Sequence, residues 1–322
     1  MRIALIGAGR MGRVHLAALR RSPLIALAAV VEPALRVRRE LAAADVNAYA
    51  SIAELLAHEP PEAVLIAAPS DQHSNLVARF AKAGVAVLCE KPLGFRAADA
   101  REAARYAREG DVLLQVGYWR RFVPALHDLR RRIADGALGQ ISLISCLQWD
   151  ASLPTEEFRA RSGGIAVDMG VHEFDQTRWL LGQEFDWVAA TAAGPSAARR
   201  ERADPDSTAI LAGLSDGAAA TISLGRRFAH ADSCWLEVWG SEGYERVPFV
   251  WGSAGEKVFH TAVLLQVEAF ARRVRGAAGP AGAESEPAGA EEAVAALTVA
   301  TAAAESLTAG GRQVSCPSVV VA

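Results

Sequence analysis

Short apolar runs separated by stretches of helical periodicity dominate residues 1–118. Arg2 to Ile6, Ile25 to Val31, Ala63 to Ala68, Val85 to Cys89 and Val112 to Val116 are rich in Val, Ile, Leu and Ala. Between them, Val14 to Leu19, Asn75 to Ala83 and Ala97 to Arg108 space their apolar residues as helices do. Continuous apolar strands alternating with helices predict a parallel sheet covered on both faces. Beyond residue 118 the period changes. Gln140 to Trp149, Val188 to Ala192, Ser207 to Leu214, Ala218 to Leu224, Cys234 to Trp239 and Tyr244 to Phe249 read as strands, with hairpin turn signals at Asp216-Gly217 and Glu242-Gly243. The predicted fold class is α/β: a dinucleotide-binding type of domain over 1–118, then an α+β domain over 119–322 with a large, mostly antiparallel sheet. Gly276 to Gly289, rich in Gly, Ala, Pro and Glu, reads as a flexible loop before a last helix.

The first strand runs into Gly7-Ala8-Gly9-Arg10-Met11-Gly12 and then a helix. Gly7 permits the tight turn, Gly9 lets a pyrophosphate approach the backbone, and Gly12 lets the helix pack closely on the strand. The helix N-terminus adds N–H groups and a positive dipole end. Arg10 and Met11 lie inside this turn and join the expected cofactor contacts. The second apolar run ends in Glu32, where a carboxylate accepts hydrogen bonds from the adenosine ribose hydroxyls. Together these features predict a Rossmann dinucleotide site. The charge of Glu32 opposes the 2′-phosphate of NADP and suits the free hydroxyls of NAD, so NAD is the expected cofactor. NADP stays open because Arg36 and Arg38 follow closely, although they read more simply as a solvated helix face. His15 reads as a surface histidine. Ligands of such sheets bind beyond the carboxyl ends of the strands, which directs attention to Ala67 to His73 and Cys89 to Pro92.

Composition narrows the partners. At 322 residues with 51% hydrophobic side chains, the chain can bury a core larger than one ordinary domain needs. A formal net charge of −3, with Lys and Arg spread along the chain, gives no field for a polyanion, so no nucleic acid is expected. Cys89, Cys146, Cys234 and Cys316 lie far apart without a CxxC spacing, so neither a metal site nor a disulfide framework is expected. A reduced cytoplasm fits. The first apolar run is too short for a signal segment or a membrane span.

At the two strand ends the sequence resembles the Gfo/Idh/MocA family, which includes relatives of inositol 2-dehydrogenase and glucose-fructose oxidoreductase. Glu90-Lys91-Pro92 matches the motif that supplies the family's active-site lysine. Ala68-Pro69-Ser70-Asp71-Gln72-His73 is similar to a turn that lies against the nicotinamide half of the cofactor, with Ala68 and Ser70 departing from the usual Thr and Asn. Gly163-Gly164-Ile165-Ala166-Val167-Asp168-Met169-Gly170-Val171-His172-Glu173-Phe174-Asp175 resembles a third family segment, and Gly117 to Phe122 resembles the crossing into the second domain. Glu291 to Val314 is like the closing helix and final short strand, and that helix, about 290–309, is expected to pack back on the first domain. The resemblance implies an open-faced sheet in the second domain and a homodimer or homotetramer formed through it.

Oxidising an alcohol requires a base that reaches the hydroxyl and a positive group that steadies developing alkoxide character. By the resemblance, Lys91 hydrogen-bonds the reacting oxygen, His172 acts as acid/base or binds that hydroxyl, and Asp168 orients the pair and binds a neighbouring hydroxyl. Asp168 and His172 are four residues apart and are expected on one face of the first turns of a helix. Ala68, Pro69, His73, Glu90 and Lys91 join the expected cofactor contacts. Tyr118 and Arg120 join Lys91, Asp168 and His172 as expected substrate contacts. Asp175 reads equally as a substrate contact and as a buried structural carboxylate. The expected activity is NAD-dependent transfer of a hydride from a sugar or cyclic polyol, with an inositol favoured. A nucleotide-sensing regulator and a reductase of a non-carbohydrate substrate share the fold; a pure sensor needs no proton-transfer group, which weighs against the first.

Overall fold

The computed structural model describes residues 1–193, 203–277 and 286–317, and its internal contacts divide the chain into two units that are not continuous in sequence. Most of the Gly276 to Gly289 stretch, residues 278–285, lies outside the described residues.

The first unit comprises Met1–Gly94, Ala98–Trp119 and His260–Glu291. Its strands β1 (Arg2–Ile6), β2 (Ala26–Val31), β3 (Ala48–Tyr49), β4 (Ala63–Ile66), β5 (Ala86–Cys89) and β6 (Leu114–Val116) pair in parallel in the order β3-β2-β1-β4-β5-β6. The order reverses beside β1, which makes the switch point where dinucleotide folds bind their ligand. Helices α1 (Arg10–Arg21), α2 (Leu35–Ala42), α3 (Ile52–His58), α4 (His73–Lys82) and α5 (Ala97–Glu109) connect the strands. Every residue of β4 and β5 is buried, which accounts for their unbroken apolar sequence. The two-residue β3 carries no hydrophobic run, so periodicity alone gave no sign of it.

The second unit comprises Phe95–Ala97, Arg120–Phe259 and Glu292–Ala322. It holds α6 (Pro124–Ala134), β7 (Ile141–Trp149), α7 (Glu156–Ala160), α8 (Val171–Leu181), β8 (Phe185–Ala193), β9 (Ser207–Leu214), β10 (Ala219–Gly225), β11 (Ser233–Gly240) and β12 (Tyr244–Val250). A long helix α9 (Gly252–Val274) passes from one group of residues to the other, and α10 (Ala290–Thr308) and β13 (Val314–Ser315) close the chain. The sheet runs β12-β11-β7-β10-β9-β8-β13 and is antiparallel except where β10 pairs with β7. Both predicted hairpin turns are present: the Leu214 carbonyl accepts from Gly217, and the Gly243 carbonyl accepts from Gly240.

Helix α10 begins at Ala290, within the residue range of the first unit. From Glu292 onward it groups with the second unit, where the Ser306 hydroxyl accepts from the Ala190 amide of β8 at 2.8 Å. The residues that join the first unit are those of α9 from His260 onward. They carry the polar groups that fit there: Glu268 accepts from Ser22 at 3.0 Å and Arg273 donates to Gln115 at 3.0 Å.

Helix α8 is buried on nearly every side, charged residues included. Glu173 and Asp175 lie inside, opposite Arg120 and Arg121 from one short 3₁₀ turn, Trp119–Phe122. Arg121 grips Asp175 with two hydrogen bonds of 2.9 and 2.7 Å. Breaking such a pair strands a buried charge. Asp175→Asn is therefore expected to lower unfolding free energy by about 3 kcal/mol at neutral pH, read from urea denaturation; a loss below about 0.5 kcal/mol would show the pair to be dispensable.

Candidate active site

In the first unit the strand ends are set by the sheet's own hydrogen bonds. Gly7, Glu32, Ala67, Glu90 and Gly117 each donate a backbone N–H to a neighbouring strand, at 2.7 to 3.0 Å, and so line up along the carboxyl edge. Gly7 has φ of +94° and lies so close to Ala67 that a Cβ would come within 2.8 Å of its carbonyl oxygen. A Cβ at Gly12 would run into the Gly7 carbonyl, whereas the space around Gly9 is open. The N-terminus of α1 has no side-chain cap and no acidic residue in its first turn. Its N–H groups therefore suit a pyrophosphate. Arg10 is exposed and Met11 half-buried on that first turn.

Glu32 stands at the end of β2, its carboxylate fixed by the amides of Ala8 at 3.0 Å and Ala34 at 2.9 Å. Each oxygen keeps a further lone pair for a ribose hydroxyl. Arg38 is not simply solvated: its guanidinium donates to the carbonyls of Glu32 and Pro33, both at 2.7 Å. Arg36 remains exposed beside Glu40. The residues present thus fit NAD.

Lys91 is held at both flanks. Its own amide donates to the Glu90 carboxylate at 3.1 Å, and the other Glu90 oxygen lies 2.6 Å from His15 Nε2. His15, expected at the surface, is fully buried, because the close approach of α1 turns it inward onto Glu90. On the far side the Lys91–Pro92 peptide is cis, and His73 sits between the carbonyl oxygens of Pro92 and Ala68, 2.8 Å from each. Burial pushes the His73 imidazole down toward the neutral form, although both carbonyls favour the protonated ring. Burial by itself would raise the Glu90 carboxyl, but the hydrogen bond from His15 and the charges of His15, Lys91 and His73 outweigh it and hold it below its ordinary value. His73 therefore braces the turn beside Lys91. Tyr118 is buried, with 1% exposure.

In the second unit, Gly163 and Gly164 both have positive φ, +79° and +87°. A Cβ on Gly163 would crowd Val167 and Phe95. The chain then forms a π-helical turn, Ala166–Gly170, before α8. Asp168 lies in this wider turn and His172 in the first turn of α8. Such π turns recur at functional sites. His172 is 6% exposed. Asp175 is the structural carboxylate held by Arg121. Arg120, expected at the substrate, is instead turned into the interior: it pairs with Glu173 at 2.7 Å and donates to Gln148 at 2.7 Å and Gln176 at 3.2 Å.

Three residues that local spacing did not single out complete this part. Arg226, Asp204 and Arg159 form buried ion pairs, and Arg226 reaches the Asp168 carboxylate at 3.2 Å. The four cysteines are free and buried, and burial pushes Cys146, Cys234 and Cys316 up to about 12, which removes them as nucleophiles.

A glycine turn suited to pyrophosphate, a carboxylate placed to accept from ribose hydroxyls and a braced lysine fit an NAD-dependent oxidoreductase. The chain belongs to the GFO/IDH/MocA family: the oxidoreductase family with an NAD-binding Rossmann fold matches residues 1–118, and the family's C-terminal domain matches residues 126–245. The chain is 45% identical over 282 residues to the rhizopine catabolism protein MocA of Rhizobium meliloti, covering 88% of this chain and 89% of that protein. It is 35% identical to inositol 2-dehydrogenase of Rhizobium meliloti (strain 1021), covering 76% and 74% of the two chains. Among solved structures, a myo-inositol dehydrogenase from Corynebacterium glutamicum superposes with a TM-score of 0.84 at 26% identity, covering 99% of each chain. No helix among the described residues is long and apolar enough to cross a membrane.

Because the folded-state value of Glu90 lies below its ordinary 4.5, its carboxylate stabilises the fold above that pH and the contribution is lost as pH falls through the folded value. Glu90→Gln is expected to cost roughly 1.5 kcal/mol at pH 7. In paired thermal melts the gap between variant and wild type should close under acid; a gap that widens would refute the assignment.

Proposed function

We propose that the chain oxidises a ring hydroxyl of a cyclic polyol of the inositol class, or of a related sugar, to the ketone. The observation that carries this reading is the braced Glu90-Lys91-Pro92 segment, found in a chain that also has Asp168 on the turn leading into α8 and His172 in the first turn of α8. Bound NAD supplies the hydride acceptor. Lys91 hydrogen-bonds the reacting oxygen and steadies its developing negative charge, His172 takes or relays the hydroxyl proton, and Asp168 binds a neighbouring hydroxyl and orients His172. Glu90, His73 and Pro69 fix the cofactor side of this arrangement. Tyr118 forms part of the pocket wall, and Arg120 serves α8 and not the substrate.

Relatives named inositol 2-dehydrogenase support the substrate class. The higher identity to a rhizopine catabolism protein places rhizopine on the test panel beside inositols and aldoses. Retention of proton-transfer groups disfavours a nucleotide sensor, and polyhydroxylated substrates account for Asp168 better than a non-carbohydrate carbonyl does. We also read the chain as a cytoplasmic homodimer or homotetramer. Four free thiols fit a reducing compartment, and a sheet face carrying Leu211 at 47% exposure fits a subunit contact. A monomer in sedimentation, or recovery from a secreted fraction, would overturn the respective reading.

The decisive assay follows NAD reduction at 340 nm across that panel, with NADP in parallel. Turnover is expected with NAD in preference to NADP, and Lys91→Ala and His172→Ala should each lower kcat by about 10²- to 10⁴-fold. Tight NAD binding without turnover on any polyol, rhizopine included, would sink the reading.

A further inference from the structure

The Asp168 carboxylate lies at one end of a chain of charges that runs through the second unit. Arg226 follows β10 directly and is 1% exposed. Its Nη1 lies 3.2 Å from Asp168 Oδ2 and its Nη2 donates to Asp204 Oδ1 at 3.1 Å. The second Asp204 oxygen accepts from Arg159 Nε at 2.7 Å, while Arg159 Nη1 reaches Asp206 at 2.6 Å and Nη2 reaches the Asp204 carbonyl at 2.5 Å. Arg159 belongs to α7, just before Gly163 and Gly164. The Arg226 amide in turn donates to the Asp206 carbonyl at 2.8 Å. Both oxygens of Asp204 are thus used inside the chain, whereas the Asp168 side chain keeps 15% exposure at its end.

Packing alone does not explain this arrangement. Burying several charges costs desolvation that an apolar cluster of the same volume avoids, so the ionic chain needs a reason beyond stability. Orientation supplies one. A guanidinium is a planar fork that spans two carboxylates at fixed angles, which an ammonium does not do. We propose that Arg226 is a positioning residue: it fixes the Asp168 carboxylate for the substrate hydroxyl, and Asp204 and Arg159 fix Arg226, so that α7 and the Asp168 turn keep one register. This rests on the role given to Asp168 under the proposed function.

The test compares Arg226→Gln, Arg226→Lys, Asp204→Asn and the double variant Arg226→Gln/Asp204→Asn with Asp168→Asn, each checked for folding by circular dichroism. Arg226→Gln should lower kcat about 100-fold, as a misplaced catalytic contact does, with the Kd for NAD within about twofold of wild type. Arg226→Lys should recover part of the loss, Asp204→Asn should lose about tenfold, and the double variant should be no worse than Arg226→Gln, because both act through one chain. Losses that multiply, or a folded Arg226→Gln with wild-type kcat, would overturn the inference. If Arg226→Gln does not fold, Arg226→Lys and Asp204→Asn carry the same comparison.

Two controls separate this inference from the function it rests on. Wild-type turnover in Asp168→Asn removes the role of Asp168, and the inference with it. Lost turnover in Asp168→Asn beside intact turnover in the Arg226 variants removes the inference alone. Should the wild type be inert toward polyols, hydrogen exchange decides. The Asp168 amide, bonded to the Gly164 carbonyl at 2.8 Å, is expected to exchange at least about tenfold faster in Arg226→Gln and Asp204→Asn, and unchanged exchange overturns the coupling.

Discussion

Two buried guanidinium–carboxylate contacts, Arg120 with Glu173 and Arg121 with Asp175, set the position of α8, and much of the second unit follows from them. A helix enclosed on nearly all sides has no water to satisfy its charges, so each acid needs a partner of opposite sign within reach. Burial raises both carboxyl groups, and the adjacent arginines work against that rise. Two residues of a single 3₁₀ turn, Arg120 and Arg121, therefore anchor a helix whose first turn carries His172 and whose preceding π turn carries Asp168. The same fixed helix gives α6 a surface to pack on, where Arg130 donates to the Trp179 carbonyl at 2.9 Å.

In the first unit the equivalent economy is achieved with histidines. His15 reaches the Glu90 carboxylate from α1, and His73 reaches the Pro92 carbonyl from α4, so the residues on either side of Lys91 are tied to different helices. Helix α1 is also the one whose uncapped N-terminus suits a pyrophosphate. A single element thus combines that N-terminus with a side chain that holds the segment carrying the lysine. Gly117 completes the arrangement by omission, since a Cβ there would press to 3.1 Å from the Glu90 carboxylate.

Much of this was legible in the sequence, and the reasons are local. A strand, a glycine turn and a helix are adjacent along the chain, so Gly7, Gly9 and Gly12 announce their place between β1 and α1 by spacing, and Glu32 announces the end of β2 by closing the next apolar run. Hairpin turns at Asp216-Gly217 and Glu242-Gly243 are equally local. What escaped notice depends on partners distant in sequence. Arg226 follows an apolar strand with nothing near it in sequence to mark it, and only the fold brings Asp168 and Asp204 beside it. Arg120 looks like a ligand contact until Glu173 is found within the interior. His15 looks exposed because helical periodicity cannot say that a carboxylate from β5's end will meet it. The shared lesson is that charge in a folded interior is decided by pairs, and pairs are invisible to a pattern read along one segment.

The discontinuity of the first unit bears on how the protein is made. Strand β6 is an edge of its sheet, and the Val116 amide there donates to the Ala288 carbonyl at 2.8 Å, while the Gln115 side chain is held between the Gln266 carbonyl and Arg273. During vectorial synthesis, all six strands of the nucleotide-binding sheet emerge from the ribosome long before those partners exist. The edge stays open for most of translation, the condition under which strands recruit neighbours from other chains. A gene fragment cut after residue 118 would reproduce that nascent state permanently, so a free-standing version of the nucleotide-binding half must graft residues 260–291 back onto it.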